Sequence, residues 1–410
     1  MNIIEELIKR FQPKEETKEY FDIICPYCFR SFSPEDIVFR AMHSVPEDDE
    51  YKLQEDELLN KYRKALKYNP IPKIEAVINP KKIYIENIKA PKGVLLEIID
   101  KYGVKSRKRL CPHCHNELSG SFGIGPSNII SIIGSSKVGK STYMTVLLHT
   151  LQNITAKNFN VTFAAASSKY RELLKDFEDK LFDKGEILES ESELDSIEHL
   201  IIRLKYKDDS IPPVTLIFYD VSSEAMLNQE YLEMYASNIK NSSGIIFLVD
   251  PTQLGSLRNG SSEEGSNEEF YEPRDVIVHL YDNFISLEDE DKTSIPTAIV
   301  LTKSDKLKAI KEGRESLSDR IFSNYVHSGF FNISEFENIN SEIKNFISIV
   351  DRPFKNAIDV SFNKAAYFAV SAFNSDYKAE NSKVEVNPIR VEEPFLWLLY
   401  EMNYIKGRRE

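Results

Sequence analysis

The sequence has no apolar run long enough to cross a membrane, and it contains only four cysteines among its 410 residues. Runs such as Ile245–Val249 fall far short of the roughly 18 consecutive apolar residues that a membrane-spanning helix needs. The N-terminal segment MNIIEELIKRF interrupts its apolar residues with Glu5 and Glu6, which predicts an amphipathic helix rather than an export signal. We therefore expect a cytoplasmic protein, in a reducing compartment where disulfides rarely persist.

Positive charge is scarce relative to negative charge, with 52 Lys and Arg residues against 65 Asp and Glu residues and a formal net charge of -13. Such a chain repels phosphate backbones and anionic lipids, so nucleic acid and membranes are disfavoured as partners. The basic run Lys105–Arg109 is an exception, and it is either a solvated loop or a local phosphate contact. The length suffices for two or three domains of roughly 150 residues each.

All four cysteines fall in two short motifs, Cys25-Pro-Tyr-Cys28 and Cys111-Pro-His-Cys114. Two residues between thiolates let one tight turn offer both sulfurs to a single ion, and two such turns complete the tetrahedron of a structural zinc. Four thiolates leave no open position for water, so a catalytic zinc is not expected. The alternatives are free thiols or a redox pair, although a redox pair leaves the second motif without a purpose.

The spacing of the two motifs predicts a folded insert at residues 29–110, because simple zinc ribbons separate their cysteine pairs by roughly 15 to 20 residues. Apolar spacing predicts a helix around Leu58–Leu66, strands around Lys82–Ile88 and a second helix near Val94–Ile99. The insert is therefore expected to be a small α+β elaboration. Beside the second motif, His113 and His115 are alternative zinc ligands, although a histidine next to a ligand more often supports it or is exposed.

A glycine-rich segment follows the apolar, β-branched run Asn128–Ile133, which predicts a buried strand. The segment matches GxxxxGK[ST], whose backbone N–H groups and following helix N-terminus hold phosphate oxygens. Lys140 is predicted to contact the β and γ phosphates, and the Ser141 hydroxyl to ligate Mg²⁺. The predicted nucleotide-binding residues here are Gly134, Ser135, Ser136, Lys137, Val138, Gly139, Lys140, Ser141 and Thr142.

Two further apolar runs end in aspartates. Val214–Tyr219 leads into Asp220, at the place where P-loop enzymes put the carboxylate that holds Mg²⁺, although an ordinary strand-end aspartate is the alternative. Gly244–Val249 leads into Asp250, which we expect to be a loop or capping residue. Ile201–Tyr206 is predicted to pair with the first of these strands as a hairpin at the antiparallel edge of the sheet.

Base recognition is predicted where the strand Ile295–Leu301 runs into Thr302-Lys303-Ser304-Asp305, a match to [NT]KxD. In this motif the aspartate accepts hydrogen bonds from guanine N1 and N2, while the lysine stem packs on the ring. Adenine offers no such donors and would leave the carboxylate unpaired, so GTP is predicted over ATP. An ATPase is the alternative that this motif argues against.

A last strand, Ala365–Val370, leads into Ser371 and Ala372, a pair similar to the [ST]A element whose backbone amide supports guanine O6. Before it, Pro273–Leu287 is predicted to be an amphipathic helix and Leu307–Val350 to contain two or three helices.

With these elements in order, the chain resembles the TRAFAC-class P-loop GTPases and, more narrowly, the bacterial double-GTPase family, whose members carry a split CPxC/CPxC zinc ribbon. The likeness rests on the cysteine motifs, the P-loop with its flanks, and Arg390–Leu399. It implies an α/β fold, with a Ras-like domain over 126–410 containing a mixed, mostly parallel six-stranded sheet with helices on both faces. A small α+β zinc-ribbon domain over 1–125 precedes it.

The resemblance also implies hydrolysis of GTP with Mg²⁺, a switch that acts on a protein effector or responds to an activator, and a place in bacterial conflict or phage-defence cassettes. Two departures predict slow turnover. Ser223 replaces the glycine of DxxG, and the switch I threonine is missing, which leaves Ser190 or Ser192 as weak replacements. Glu224, at the place of the water-orienting glutamine, either positions the attacking water or faces solvent. An arginine finger would then come from a partner.

Two other functions remain open. One is a scaffold that holds GTP or GDP structurally and uses the zinc module for assembly. The other is a zinc ribbon that binds nucleic acid under nucleotide control, which the acidic net charge disfavours.

Overall fold

The computed structural model describes residues 20–66, 68–81, 86–89, 94–135, 137–166, 168–186, 199–222, 239–258, 272–285, 292–373 and 386–409. The chain divides into two compact units. One comprises Met1–Asn128 with Ile201–Ile217, and the other comprises Ile129–Leu200 with Phe218–Glu410. The division into domains at 1–125 and 126–410 stays a prediction.

In its described residues, the N-terminal segment is built from short antiparallel strands and one helix, which agrees with the predicted α+β insert. Its sheets have the orders β1-β2, β4-β3-β8-β9 and β5-β6-β7. The helix α1 (Glu57–Ala65) begins where the Asp56 carboxylate accepts a hydrogen bond from Leu59 N. The strands are β1 (Ile23–Ile24), β2 (Ser31–Phe32), β3 (Val38–Arg40), β4 (Val77–Ile78), β5 (Glu86–Lys89), β6 (Leu95–Ile99), β7 (Lys105–Ser106), β8 (Arg109–Leu110) and β9 (Glu117–Leu118).

The predicted helix at Val94–Ile99 is wrong, because this segment forms strand β6 and pairs with β5 on one side and β7 on the other. A short apolar run has too few residues for its periodicity to separate a helix from a strand. Tertiary pairing on both edges then decides the conformation. Of the predicted strand around Lys82–Ile88, residues 82–85 lie outside the described residues.

A seven-stranded sheet with the order β11-β12-β13-β10-β14-β15-β17 forms the larger part of the fold. The neighbours β10/β14, β14/β15 and β15/β17 are parallel. The central strands are fully buried, as the near-continuous apolar sequences of parallel strands require. The strands are β10 (Ser127–Gly134), β11 (Val161–Ala165), β12 (His199–Tyr206), β13 (Val214–Ser222), β14 (Gly244–Val249), β15 (Thr297–Leu301), β16 (Phe331–Asn332), β17 (Ala365–Ala369) and β18 (Gly407–Arg408).

The α/β, Ras-like class is confirmed, but the sheet has seven strands rather than six, and the predicted edge position is wrong. Strand β11 lies at the edge and β12 lies next to it. Only residues 207–213 join β12 to β13, and such a connection is too short for a parallel crossover, so this neighbouring pair runs antiparallel.

The α-helices in the described residues after β10 are α2 (Lys140–Thr150), α3 (Ala156–Phe159), α4 (Ser168–Glu178), α5 (Pro273–Leu280), α6 (Ile333–Val350), α7 (Arg352–Ser361) and α8 (Glu393–Glu401). The two or three helices expected in Leu307–Val350 reduce to short 3₁₀ turns followed by α6 alone. Asn332 starts α6 by accepting a hydrogen bond from Glu335 N at 3.0 Å. No helix in the described part of the chain is both long and apolar enough to span a bilayer.

The C-terminal helix α8 packs against the middle of the sheet. Leu398 approaches Gly244 so closely that a Cβ on the glycine would lie 2.9 Å from Leu398 Cδ2. The Phe395 ring meets that of Phe218 at 5.6 Å, and Trp397 meets Phe368 at 5.9 Å. The apolar part of the Arg390–Leu399 segment is therefore core.

Candidate nucleotide-binding site and metal centre

The predicted phosphate loop joins the carboxyl end of β10 to the N-terminus of α2. A Cβ on Gly134 would lie 2.9 Å from the carbonyl oxygen of Leu248, so the close approach of these strands requires glycine here. Gly139 has φ 85° and Lys137 has φ 61°, both in the left-handed region. The loop thus delivers the chain to a helix N-terminus, whose N–H groups and positive dipole end favour an anion.

Thr302 and Lys303 tie the predicted base-recognition segment to this loop. The Thr302 hydroxyl lies 3.0 Å from the carbonyl oxygen of Val138 and 3.2 Å from that of Val249. Lys303 Nζ donates to the carbonyl oxygen of Lys137 at 2.8 Å. Because β10, β14 and β15 are parallel, their carboxyl ends meet at one edge of the sheet and bring these segments together.

Asp250 lies beneath Lys303, with Oδ2 2.6 Å from Lys303 Nζ. The aspartate is 4% exposed, and its Oδ1 accepts a hydrogen bond from Thr252 N at 3.0 Å. It caps the 3₁₀ turn Pro251–Gln253, as predicted from the sequence. Burial alone would raise the pKa of Asp250, but the ammonium of Lys303, together with the Thr252 hydrogen bond and the charge of Lys306, lowers it. The carboxylate therefore holds the lysine head in place.

Asp305 and Ser371 are brought together although they are 66 positions apart. The Ser371 hydroxyl donates to Asp305 Oδ1 at 2.5 Å, and Ser371 is 1% exposed. The chain is also joined here by Ser304 N, which donates to the carbonyl oxygen of Val370 at 3.0 Å. Ala372 follows directly in the same segment. The arrangement fixes one oxygen of the carboxylate that is predicted to read guanine.

The predicted magnesium ligands are only partly described. Ser141 lies half-buried in the first turn of α2, and Thr142 beside it is 8% exposed. Asp220 does not end its strand, since β13 continues to Ser222, and its side chain lies outside the described residues. The other predicted residues outside the described part of the chain are Ser136, Ser190, Ser192, Ser223 and Glu224.

One contact at the loop is absent from the sequence prediction. The Ser135 hydroxyl, on a residue 2% exposed, donates to Gln253 Oε1 at 2.5 Å. Gln253 follows Asp250 in the turn after β14, and one of the two parallel neighbours of β14 is β10, which carries the loop. The available signal was the position of Gln253 just past a strand end, where side chains of neighbouring parallel strands meet.

The four cysteine sulfurs form one cluster, with all Sγ atoms within 4.8 Å of one another. Cys25 and Cys114 have sulfurs 3.7 Å apart, and so do Cys28 and Cys111. Zinc bonded to four thiolates at about 2.3 Å requires sulfur–sulfur edges of about 3.8 Å. The donor set and its spacing therefore fit a tetrahedral zinc.

The two motifs repeat one local geometry. Phe29 N donates to the carbonyl oxygen of Cys25, and His115 N donates to that of Cys111, both at 2.9 Å. Both donors have left-handed backbones, with φ 57° and 54°. In each motif the N–H two residues past the first cysteine donates to its sulfur at 3.4 Å. Such bonds stabilise thiolates, which is the form that zinc binds.

Neither His113 nor His115 belongs to the sulfur cluster. His115 Nδ1 lies 2.8 Å from Asp56 Oδ1, and the His113 ring meets that of Phe32 edge-on at 5.8 Å. Asp56 also pairs with Arg40 at 2.6 Å. Burial opposes ionisation of Asp56, but hydrogen bonds led by that of His115 lower its pKa to about 2. The insert is thus bound to the second motif through one carboxylate.

The basic run Lys105–Arg109 is not a loop, because it contributes residues to strands β7 and β8. Arg107 pairs with Glu97, and Lys105 Nζ lies 3.6 Å from the same carboxylate. Arg109 is 1% exposed and donates to the carbonyl oxygen of Phe122 at 2.8 Å. Much of the positive charge of the run Lys105–Arg109 is therefore engaged within the protein.

The parallel strand order, the loop between β10 and α2 and the motifs at the strand ends define a Ras-like P-loop GTPase fold preceded by a small cysteine-rich module. A family model described as Double-GTPase 2 matches residues 128–348, which is more than half of the chain. The chain belongs to the Double-GTPase 2 family.

Solved structures similar to this chain include three GTP-binding proteins, all at low sequence identity. A nucleolar GTP-binding protein 1 of Plasmodium falciparum is 12% identical, covering 62% of this chain and 80% of that chain, with a TM-score of 0.24. The Arl6 small GTPase of Trypanosoma brucei is 10% identical, covering 68% and 98%, with a TM-score of 0.29. The elongation factor SelB of Methanococcus maripaludis is 12% identical, covering 60% and 30%, with a TM-score of 0.23. A search of curated proteins found no match.

Proposed function

We propose that the chain binds GTP with Mg²⁺, hydrolyses it to GDP and acts as a molecular switch. The observation that carries the proposal is the 2.8 Å bond from Lys303 Nζ to the carbonyl oxygen of Lys137. It joins the segment predicted to recognise the base directly to the segment predicted to hold the phosphates. Membership of the Double-GTPase 2 family supports the same ligand.

Each proposed role follows from the chemistry of the side chain. Lys140 and the N-terminus of α2 neutralise the β and γ phosphates, and Asp305 accepts from guanine N1 and N2. Ser141 and Asp220 would hold Mg²⁺, which supplies positive charge to the phosphate oxygens. Water adds in line to the γ phosphorus as its bond to the β–γ bridging oxygen breaks, and Glu224 is proposed to orient that water.

The switch is proposed to lie in the segments around 183–196 and 221–235, which contacts to the γ phosphate would order. Loss of that phosphate then changes the affinity for a protein effector. Because Ser223 replaces the usual glycine, we expect slow turnover without a protein activator.

We further propose that a structural zinc holds Cys25, Cys28, Cys111 and Cys114 together. Zinc would contribute folding free energy by joining segments that no disulfide connects. A cysteine-only site is best kept reduced in the cytoplasm, which is the compartment we propose.

The test measures nucleotide affinity and turnover with Mg²⁺ for GTP, GDP and ATP on the full chain, with Lys140→Ala and Asp305→Ala as variants. We expect guanine selectivity that Asp305→Ala abolishes and turnover that Lys140→Ala abolishes. Preference for ATP would contradict the guanine assignment.

A second candidate, a scaffold that holds its nucleotide without turnover, is favoured by Ser223 and the missing switch threonine. Tight guanine nucleotide binding without hydrolysis, in both the wild type and Glu224→Gln, would select the scaffold.

A further inference from the structure

A buried arginine, Arg390, begins the C-terminal segment, and nucleotide binding by itself does not explain it. The residue is 1% exposed, and its backbone is left-handed with φ 53°. A long side chain rarely adopts this backbone unless its surroundings hold it there. The contacts of Arg390 therefore indicate a specific task.

The guanidinium group joins separate segments of the chain. Nη1 donates to Glu393 Oε1 at 2.6 Å, and Nη2 donates to Glu335 Oε1 at 2.5 Å. Nε donates to the carbonyl oxygen of Ser323 at 2.9 Å and to that of Arg320 at 3.3 Å. A planar fork of donors makes this set of bonds, which a lysine ammonium cannot reproduce.

Asn324 clamps the main chain on either side of Ile389. Its Oδ1 accepts from Arg390 N at 3.0 Å, and its Nδ2 donates to the carbonyl oxygen of Pro388 at 2.7 Å. Ile389 exchanges two main-chain bonds with Ser371, of 3.1 and 2.7 Å. The clamped segment is therefore the one that holds Ser371.

Two routes connect this clamp to Asp305. In the first, Ser371 donates its hydroxyl to the Asp305 carboxylate at 2.5 Å. In the second, the 3₁₀ turn Asp319–Phe322 packs against the 3₁₀ turn Ser304–Lys308, which contains Asp305. The first turn supplies a carbonyl acceptor to Arg390.

We propose that Arg390 is a positioning residue for guanine recognition. By holding the segment at 388–390 and the turn at 320–324, it fixes Ser371 and thereby aims Asp305 at the N1 and N2 groups of the base. The inference rests on the proposed function, because it takes Asp305 as the residue that reads guanine.

The experiment compares dissociation constants for guanosine diphosphate, adenosine diphosphate and inosine diphosphate, the last of which lacks the N2 amino group. The variants are Arg390→Lys, which keeps the charge, and Asn324→Ala, which opens the clamp without leaving a buried charge unpaired. The control is Asn283→Ala, whose amide bonds the carbonyl oxygen of His279 at 2.9 Å in a helical turn.

We expect the wild type to prefer guanosine diphosphate over inosine diphosphate by about tenfold or more, since a hydrogen bond to a carboxylate is at stake. Both clamp variants should lower that ratio by about fivefold, while affinity for inosine diphosphate changes by less than about threefold. The control should keep the full ratio.

The outcomes separate this inference from the proposed function. A wild type with no preference for guanosine over adenosine diphosphate means that the proposed function fails. The inference is overturned if the wild type selects guanine but Asn324→Ala, although less stable to heat, keeps the full preference for guanosine over inosine diphosphate. The contacts of Arg390 would then be purely structural. Should Arg390→Lys fail to fold, the Asn324→Ala ratio decides alone.

Discussion

Cys25 and Cys114 are 89 positions apart in the sequence, and their sulfur atoms lie 3.7 Å apart. The other close pair, Cys28 and Cys111, also joins the first motif to the second. Both of these sulfur–sulfur contacts therefore cross between the motifs. Closing so long a loop has an entropic cost, which a metal ion shared by both motifs would offset.

We expect one equivalent of zinc per chain, measured by elemental analysis of the purified full-length protein. Cys28→Ser should lose the metal and lower the free energy of unfolding by several kcal/mol, since the binding energy of a structural zinc contributes directly to folding. Prolonged treatment with a strong chelator should have a similar effect on the unmodified chain.

The matched control for this prediction is His113→Ala. Its imidazole contacts the Phe32 ring edge-on, outside the sulfur cluster, so the variant should keep a full equivalent of zinc. Loss of zinc in His113→Ala together with retention in Cys28→Ser would contradict the four-cysteine assignment.

Thr302→Val tests how the base-recognition segment is held on the phosphate loop. Valine has nearly the same shape but lacks the hydroxyl that contacts the carbonyl oxygens of Val138 and Val249. We expect a loss of about 1–2 kcal/mol in stability and a guanine nucleotide affinity lower by about tenfold. Chemical denaturation and nucleotide titration measure the two effects.

Thr297→Val is the control for that change, because Thr297 begins strand β15 and Thr302 directly follows its other end. It is fully buried, and its hydroxyl donates to the carbonyl oxygen of Ile295 at 3.1 Å. The variant should show a comparable loss of stability with little change in affinity. Equal affinity losses in Thr297→Val and Thr302→Val would mean that the loop contact has no special role.

The meeting of the candidate site residues at one edge of the sheet was predictable from sequence for a physical reason. Each of Gly134, Asp250, Thr302 and Ser371 follows or ends a buried apolar strand. Parallel strands place their carboxyl ends at one edge, so their order in the chain already implies a shared site. The fold class and the position of the site follow from this regularity.

Contacts between distant turns were not predictable in the same way. The Ser371–Asp305 bond and the bonds from Arg390 to the carbonyl oxygens of Arg320 and Ser323 join residues 66 to 70 positions apart, in turns with no repeating pattern. The segment Val94–Ile99 shows the related limit for local structure, because pairing on both sides overrides its ambiguous apolar run.

Glu392 should make stability depend on pH. Burial raises its pKa from the ordinary 4.5 to about 7, against the lowering effect of a backbone hydrogen bond, and Glu393 adds repulsion. The nearby Tyr143 hydroxyl is buried and, among the described residues, has no hydrogen-bond partner. Burial therefore opposes ionisation of Glu392 in the folded chain more strongly than the charges of His327 and Arg390 favour it.

The sign of the effect follows from proton binding. Between about pH 4.5 and pH 7 the folded chain binds the proton and the unfolded chain has lost it, so the stability contributed by Glu392 falls as pH rises. The fall is complete once the pH passes about 7 and amounts to at most about 3 kcal/mol. Glu392→Gln should flatten this part of the profile and be more stable than the wild type at pH 8.

Denaturant unfolding of both proteins at several pH values from 5 to 8 measures the prediction, with Glu337→Gln as an exposed control that pairs with Arg409 on the surface. The control should keep the wild-type slope, because a surface ion pair contributes little. If Glu392→Gln keeps that slope as well, the carboxylate at 392 ionises normally in the folded chain, and the pH dependence must come from other groups.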